Sequence, residues 1–419
     1  MKFKMTPQEK KWVLYDVGNS AFTMLVATLL PIYFHVLTTS EGISETDYLA
    51  YWGYTTSIAT IIVAVLGPTL GTASDIKGVK KIIFMAAMFI GAIGCIALGF
   101  IQSWLWFLIL FAIAKIAYQL SLVVYDSMLT DVTSDERMDE ISSQGYAWGY
   151  IGSCVPFIIC IAIYALQTMG ILPISLGVAM AIDFIITAVW WVAMAIPLVR
   201  SYKQVHYVEK TDKPVVSSLK RLGGVFKELG QNKKALFFLI AFFFYIDGVY
   251  TIIDMATTYG ESLGLSSIGL VLALLVTQFV AFPAALFFGR LSRKYESGKL
   301  LIICIVAYFF IVVYAIFLRQ LYQFWILAVA VGLFQGAIQS LSRSYFAKII
   351  PPEKSGEYFG IYDICGKGAS FIGTTLVAVI TQITDSSSIG VGGLAVMFVI
   401  GLIFFIVTDR TPAVSEKKQ

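Results

Sequence analysis

The sequence has few charged residues, few histidines and no cysteine spacing typical of a disulfide or metal framework. Charged residues make up 13% of its 419 residues, about half of the roughly 25% usual in soluble domains. The five cysteines are an odd number, and all lie in apolar segments. These features exclude a soluble enzyme, a disulfide scaffold, a nucleic-acid binder and a disordered chain.

Two further features of the sequence narrow the function. His35 and His206 are its only histidines, which argues against histidine-based or metal-based catalysis inside a membrane. The sequence also has no Gly-x4-Gly-Lys-Ser/Thr phosphate-binding loop. An ATP-driven pump is therefore excluded.

Long apolar runs recur from end to end, and apolar or aromatic residues make up 58% of the chain. A helix needs about 20 apolar residues to cross the hydrocarbon core of a membrane. Continuous runs of this length exclude a transmembrane β-barrel, whose strands alternate apolar and polar residues. The first run is too long for a signal peptide, so we expect it to remain uncleaved. The runs predict twelve transmembrane helices, over residues 12–37, 47–72, 80–101, 104–130, 143–167, 173–199, 235–260, 265–290, 299–318, 322–349, 357–383 and 389–408.

The basic residues are distributed unevenly. Of the 30 Lys and Arg residues, Arg319 alone lies in a predicted outer loop, and Lys115 and Lys367 lie inside spans. The others lie in loops, span ends and termini on the side of the N-terminus. By the positive-inside rule, both termini are predicted to be cytoplasmic.

A long basic connection divides the twelve spans into six and six. We predict an N-terminal six-helix bundle at 1–199, a cytoplasmic linker at 200–234, a C-terminal six-helix bundle at 235–410 and a tail at 411–419. Residues 220–229 are weakly amphipathic and could lie on the membrane surface, although a solvated linker is the simpler interpretation.

The two halves resemble each other in sequence. Gly71 and Gly289 each lie at the end of a predicted span, before a short loop with Gly and Lys. Glu136 and Glu353 each precede a glycine by thirteen residues. Two related six-helix bundles are the architecture of many secondary transporters. The predicted fold class is an all-α membrane protein of twelve transmembrane helices in two pseudo-symmetric bundles.

Several segments also resemble known families. Residues 71–81, with the pattern G-x3-D-x2-G-x-K-K, resemble the signature loop of the major facilitator superfamily. Residues 15–22 (YDVGNSAF) are similar to the YDWANSAF opening of the vacuole effluxer family, which comprises autophagy-linked fungal vacuolar amino-acid exporters and bacterial relatives. Residues 145–152, 339–344 and 359–367 are similar to further segments of that family. The resemblance implies the major facilitator fold and amino-acid export.

The sequence departs from these patterns at three positions. Val17 and Gly18 stand where the family has Trp-Ala, and we expect this change to alter a cavity wall. Arg293 stands where an acidic residue would complete a second signature loop, which we interpret as decay of the C-terminal copy.

Polar side chains within the spans are candidates for substrate binding, because a charge at the centre of a membrane helix costs about 2.5–3.5 kcal/mol. They recur at helical spacing on helices that line the central cavity in the superfamily resembled here. Lys115 and Asp247, from opposite halves, would suit the carboxylate and ammonium groups of a zwitterion. The predicted substrate-binding residues are Asn19, Lys115, Tyr118, Gln119, Asp247, Tyr250, Gln335, Gln339 and Lys367.

Two further sets of charged residues are predicted. Because burial favours the neutral form of a carboxyl group, the candidates for proton coupling are Asp16, Asp126 and Asp247. The predicted gate residues, near the cytoplasmic side, are Asp75, Lys80, Lys81, Arg343 and Asp363. We expect Asp75 to meet the N-terminus of a neighbouring helix.

Structural interpretations of the same charges stay open. Lys367 and Asp247 could neutralise each other within the second half, and Lys115 and Asp183 within the first. Asp183 lies on a span that is peripheral in the superfamily, which favours a structural or snorkelling role.

Together these observations predict a secondary active transporter, not an enzyme. It would move a small polar or zwitterionic solute, most simply an amino acid, by alternating access with proton coupling. The alternative is an exporter or flippase of amphipathic compounds, drug-like or lipid-like, with the same fold. We expect a monomer in the bacterial inner membrane, with a small-molecule substrate, lipid and protons as partners, and no cofactor, metal or nucleic acid.

Overall fold

The computed structural model describes residues 3–209, 229–367 and 370–412, and the chain there is helical apart from one isolated β-bridge between Ile76 and Val208. A 3-10 helix at Pro352–Lys354 precedes α13. The α-helices are α1 (Pro7–Ala27), α2 (Leu29–Ser40), α3 (Glu45–Ser74), α4 (Lys80–Leu98), α5 (Trp104–Ser127), α6 (Leu129–Val132), α7 (Asp135–Thr168), α8 (Leu176–Ser201), α9 (Lys233–Ser262), α10 (Ser267–Leu291), α11 (Ser297–Ile316), α12 (Leu321–Ile349), α13 (Ser355–Lys367), α14 (Ser370–Thr384), α15 (Ser387–Gly392) and α16 (Leu394–Arg410).

Eleven helical segments of the described residues are long and apolar enough to cross a membrane. They coincide with the first ten predicted spans and the twelfth. The eleventh predicted span contains α13 and α14, and residues 368 and 369 between them lie outside the described part. The predicted amphipathic segment 220–229 also lies outside it, except for its last residue.

The first predicted span is two helices rather than one. Thr28 separates α1 from α2, with φ −130° and ψ −79°, outside the helical region. Pro31 has no N–H to donate to the carbonyl oxygen of Ala27, so the helical ladder is interrupted here. The Thr28 side chain donates to the carbonyl oxygen of Met24 at 2.6 Å and satisfies one of the carbonyl groups that the break leaves free.

Most of the polar contacts between the first half (residues 3–209) and the second half (residues 229–412) gather at one end of the helices, here called the basic face. Phe3 and Arg293 lie at this end, where the Arg293 guanidinium is 5.5 Å from the Phe3 ring. Glycines allow two helices to touch there. A Cβ atom on Gly71 of α3 would collide with the carbonyl oxygen of Gly356, and one on Gly360 would lie 2.5 Å from Pro68 Cα. The α3 and α13 backbones therefore meet directly.

The departure at positions 17 and 18 faces the inside of the first half rather than a cavity. Val17 is 8% exposed, and a Cβ atom on Gly152 of α7 would lie 2.5 Å from Val17 Cγ1. A Cβ atom on Gly18 would lie 2.9 Å from Met194 Cβ and from the carbonyl oxygen of Trp191. The small residues here let α1 pack closely against α7 and α8.

Candidate functional site

Arg343 of α12 joins the two halves at the basic face. Its buried guanidinium group donates to Asp16 Oδ2 at 3.2 Å and to Asp126 Oδ1 at 2.9 Å, both in the first half. Its Nε and Nη2 also donate to the hydroxyl and carbonyl oxygens of Ser142, at 2.9 and 3.1 Å. A lysine could not present this planar set of donors. A predicted gate residue and two predicted proton-coupling acids thus form one cluster.

The surroundings of Arg343 hold this cluster in place. Its guanidinium group lies between the rings of Trp12 and Tyr146, 4.6 and 4.5 Å from their centroids. Gly145 of α7 leaves the space that the ion pair needs, because a Cβ atom there would collide with Asp16 Oδ2 and lie 3.0 Å from Arg343 Nη2.

A chain of hydrogen bonds runs from this cluster into the first half. Asn19 Nδ2 donates to Asp16 Oδ1 at 3.4 Å. The Tyr118 hydroxyl donates to Asn19 Oδ1 at 3.5 Å and lies 2.6 Å from Thr23 Oγ1. Thr23 is exposed. The chain therefore connects an exposed position on α1 with the buried ion pair of Arg343.

The three predicted glutamines are buried. Gln339 Oε1 accepts a hydrogen bond of 2.6 Å from the Tyr150 hydroxyl, which joins α12 to α7. Gln335, one turn away on α12, is 6% exposed. Gln119 Oε1 is buried and accepts no hydrogen bond from the described residues.

Charges of opposite sign from the two halves act on each other at longer range. The ammonium group of Lys115 on α5 acts electrostatically on the carboxylate of Asp254 on α9, and Asp254 is exposed. Tyr250 of α9 interacts electrostatically with Tyr118 of α5. We call the region between the halves that contains these four residues and Thr23 the central space. Asp363 of α13 also acts electrostatically on Tyr118 and Tyr250.

Asp247 does not lie with these groups. It is 0% exposed, and its Oδ1 accepts hydrogen bonds from Gly373 N at 3.2 Å and from the Thr251 hydroxyl at 3.3 Å. Both partners belong to the second half. The side chain of Lys367 lies outside the described part of the structure. Asp247 and Asp254 are seven residues, or about two turns, apart on one side of α9, and it is Asp254 on which Lys115 acts.

Asp75 meets the start of α13, the kind of contact expected for an acid in this loop. Its Oδ1 accepts a hydrogen bond from Gly356 N at 2.8 Å, and its Oδ2 accepts one from Glu357 N at 2.9 Å. Lys80 is buried, lies 3.5 Å from Asp75 Oδ1 and donates to Ser355 Oγ at 2.8 Å. Burial raises the pKa of Asp75 to about 6, although Lys80 and the two N–H groups favour its charged form.

The other predicted gate lysine takes no part in this arrangement. Lys81 is half-buried and forms no ion pair with the described residues.

The beginning of the linker binds to the loop that carries Asp75. Val208 N donates to the carbonyl oxygen of Asp75 at 2.8 Å. Asp131 is buried and accepts hydrogen bonds from the Tyr202 hydroxyl and from His206 N. Lys80 Nζ lies 3.7 Å from Asp131 Oδ2. Lys80 is thus shared between Asp75 and Asp131, both of which belong to the first half.

Sequence reasoning missed a third contact at the basic face. Asp139 of α7 accepts hydrogen bonds from Ser297, Ser344 and Lys348 of the second half, at 2.8, 2.6 and 2.7 Å. Beside it, Arg293 Nε lies 2.9 Å from Glu140 Oε2. The sequence did hold a signal for this contact, namely the repeated spacing after Glu136 and Glu353. By that spacing Asp139 and Glu140 are equivalent to Gly356 and Glu357, the two residues that Asp75 contacts. Arg293 has a specific partner, so its interpretation as decay of the loop was wrong.

Asp183 is neither snorkelling nor paired with Lys115. It is 0% exposed in α8, and neither carboxylate oxygen accepts a hydrogen bond from the described residues.

Comparison with known proteins gives matches along the whole chain. A family model described as "Vacuole effluxer Atg22 like" matches residues 7–418. The "Uncharacterized MFS-type transporter YxiO" of Bacillus subtilis is 41% identical over 423 residues, which cover 100% of this chain and 99% of that protein. Autophagy-related protein 22 of Cryptococcus neoformans is 27% identical over 298 residues, covering 66% of this chain and 50% of that protein. The match thus spans about half the length of this fungal relative.

Solved structures share the fold at low sequence identity. The transporter FucP, in a crystal structure of its outward conformation, has a TM-score of 0.72 at 13% identity, with 97% of this chain and 98% of that chain covered. A bacterial homologue of the iron transporter ferroportin, in its outward-facing state, has a TM-score of 0.71 at 13% identity, with 96% and 100% covered.

Proposed function

The chain belongs to the Atg22-like vacuole effluxer family, whose members are transporters of the major facilitator type rather than enzymes, and from its geometry we propose that it moves a small zwitterionic solute, in particular an amino acid. Transport is by alternating access and is coupled to protons. The conformation described here is closed at the basic face, which the positive-inside rule places in the cytoplasm.

The charge pair across the central space carries this proposal. Lys115 comes from the first half and Asp254 from the second, and the two act on each other across the space. A free amino acid has a carboxylate and an ammonium group, which these two side chains would bind. Tyr118 and Tyr250, beside the charges, would donate hydrogen bonds to the solute. Because the two charges belong to different halves, a bound zwitterion draws the halves together.

Alternating access requires contacts that form in one state and break in the other. Those at the basic face have this character, because Arg343, Asp75 and Asp139 each find partners in the opposite half. The hydrogen bonds from Tyr118 through Asn19 to Asp16 connect the central space with the Arg343 cluster. Solute binding at Tyr118 is therefore in a position to affect that cluster.

The test is flux of labelled amino acids into proteoliposomes, with and without an imposed pH gradient. Neutralising either charge, as in Lys115→Gln or Asp254→Asn, should reduce flux at least tenfold, because each removes a charge-assisted contact with the solute. The exchanged variant, with Lys115→Asp and Asp254→Lys together, should recover more flux than either single reversal.

The matched control is Asp385→Asn. Asp385 is exposed and has a φ of 51°, a conformation that asparagine also adopts readily. Its flux should equal that of the wild type. Wild-type flux in Asp254→Asn would contradict the zwitterion site. Flux stimulated by amphipathic compounds and indifferent to amino acids would instead support an exporter or flippase of such compounds.

A further inference from the structure

A row of polar contacts joins α7 of the first half to α12 of the second half and runs inward from the basic face. Asp139 and Lys348 form its outer end, where Lys348 Nζ lies 2.7 Å from Asp139 Oδ2. At its inner end the Tyr150 hydroxyl donates to Gln339 Oε1 at 2.6 Å. Gln339 precedes Arg343 by four residues, so this contact lies one helical turn beyond the Arg343 cluster, on the side away from the basic face.

Tyr150 lies between that cluster and the central space. Its hydroxyl group interacts electrostatically with Tyr250 in the central space and with Arg343. Its ring packs against α12 at Gly336, because a Cβ atom there would lie 3.0 Å from Tyr150 Cε2. Gln335, one turn before Gln339, also interacts with the Tyr150 side chain. A side chain of the first half thus covers the polar side of α12 at this level.

Gln339 is a predicted solute-binding residue, but its acceptor oxygen is occupied in the closed conformation. The residue is 7% exposed, and Tyr150 donates to its Oε1. When the halves part, Tyr150 moves with α7 and Gln339 with α12, so the amide loses this partner. A polar group left without a partner is costly, and an amide can accept from an ammonium group and donate to a carboxylate. A zwitterion passing from the central space to the basic face can therefore replace Tyr150 as the partner of Gln339.

We propose that Gln339 alternates between two partners: the Tyr150 hydroxyl while the basic face is closed, and the solute once that face is open. The proposal rests on the amino-acid transport proposed above and adds a solute contact that is made on one side of the membrane only. Tyr150 is a positioning residue, because it acts on the solute through Gln339. Solute that arrives from the opposite side finds Gln339 covered, whereas solute that arrives at the open basic face finds it available.

Two variants that break the same hydrogen bond separate the solute contact from the contact between the halves. Tyr150→Phe removes the hydroxyl and keeps the ring against α12, so Gln339 stays covered in the closed conformation. Gln339→Met removes the amide and keeps a side chain of similar length. Each variant weakens the closed conformation by the same hydrogen bond, so a difference between the two variants reports the contact of the amide with the solute.

The measurement is the KM for the labelled amino acid that the wild type transports fastest, in membrane vesicles of each orientation. Inside-out vesicles present the basic face to the added solute, and right-side-out vesicles present the opposite face. With solute at the basic face, the KM of Gln339→Met should be about fivefold higher than that of Tyr150→Phe, which is the effect of one neutral hydrogen bond. With solute at the opposite face, the two variants should have the same KM.

The matched control is Tyr164→Phe, which removes a tyrosine hydroxyl from the same helix about four turns beyond Tyr150. Its KM should equal that of the wild type in both orientations. Thermal unfolding in detergent shows that each variant is folded before the KM values are compared, and Gln339→Leu takes the place of Gln339→Met if the latter does not fold.

The outcomes distinguish this proposal from the one on which it rests. Equal KM values of the two variants at the basic face would show that Gln339 only holds the halves together, and would overturn the solute contact. A difference of the same size in both orientations would overturn the alternation, because Gln339 would then bind solute in either conformation. A wild type that transports no amino acid would overturn the proposed solute, and with it the contact at Gln339, before any variant is compared.

Discussion

Asp75 and Arg293 occupy equivalent positions in the two halves and carry opposite charges. Each is the fourth residue after a glycine, Gly71 or Gly289, that lets its helix approach the other half. Asp75 accepts from the N–H of Glu357, whereas Arg293 pairs with the carboxylate of Glu140. The two contacts at the basic face thus follow one pseudo-symmetric plan with the signs of the charges exchanged.

The Asp139 contact should stabilise the closed conformation more than the neighbouring Arg293 pair. Asp139 accepts from three side chains, and its partner Lys348 is mostly buried, whereas the Arg293 side chain is 39% exposed. Exposed ion pairs contribute at most about 1 kcal/mol, and hydrogen bonds to buried charged groups about 1.5–3 kcal/mol. Two double-mutant cycles, measured by thermal unfolding in detergent, test this ranking. The coupling energy between Asp139→Asn and Lys348→Met should exceed that between Glu140→Gln and Arg293→Gln. Equal couplings would contradict this ranking.

Gly145→Ala should open the basic face. The new methyl group would occupy the position of Asp16 Oδ2 and separate it from Arg343. Loss of one partner from a buried ion pair costs about 3–5 kcal/mol. Distances between spin labels at two exposed positions of the basic face, Glu136→Cys and Glu353→Cys, should lengthen in a background without the native cysteines.

The matched control for that variant is Gly53→Ala, where a Cβ atom would meet nothing within 4 Å. It should leave the label distances unchanged. A closed basic face in Gly145→Ala would show that the glycine is not needed for the ion pair.

Acidic pH should favour the closed contact at Asp75. The pKa of its carboxyl group is raised from 3.8 to about 6 by burial in the closed conformation, and it returns toward the ordinary value when the contact opens to water. The closed form therefore binds the proton more tightly. The free energy by which this proton favours the closed form is present at low pH and is lost as the pH rises through about 6. The same spin labels should report more of the closed form at about pH 5 than at about pH 7.5, and Asp75→Asn should lack this dependence. A closed population that grows with pH would contradict the argument.

The family, the helical membrane fold and the transporter class could be predicted from the sequence, and all three are confirmed. Long apolar runs and an uneven distribution of basic residues can be recognised in the sequence alone, because neither depends on which helices pack against each other. The position of Asp75 before the start of α13 also followed from its place in a recognisable loop.

The environment of Asp247 could not be predicted in the same way. Helical spacing shows that Asp247 and Asp254 share one side of α9, but it does not show which helix covers that side at each depth. Gly373 lets α14 approach at the level of Asp247, while Asp254, two turns on, remains exposed. Asp139 was missed for a related reason: its partners Ser297, Ser344 and Lys348 come from two helices far along the chain.

The sharing of Lys80 makes the Asp75 contact reversible at low cost. When the halves part, Lys80 keeps both of its acids, because Asp75 and Asp131 travel with it. Only the Ser355 hydroxyl and two backbone N–H groups leave, and water can replace them. Arg343 differs, since it departs from both Asp16 and Asp126 and leaves charges behind on each side. The Asp75 contact can therefore open and close at a small cost in free energy. The Arg343 cluster costs more to break, and it therefore limits how often the basic face opens.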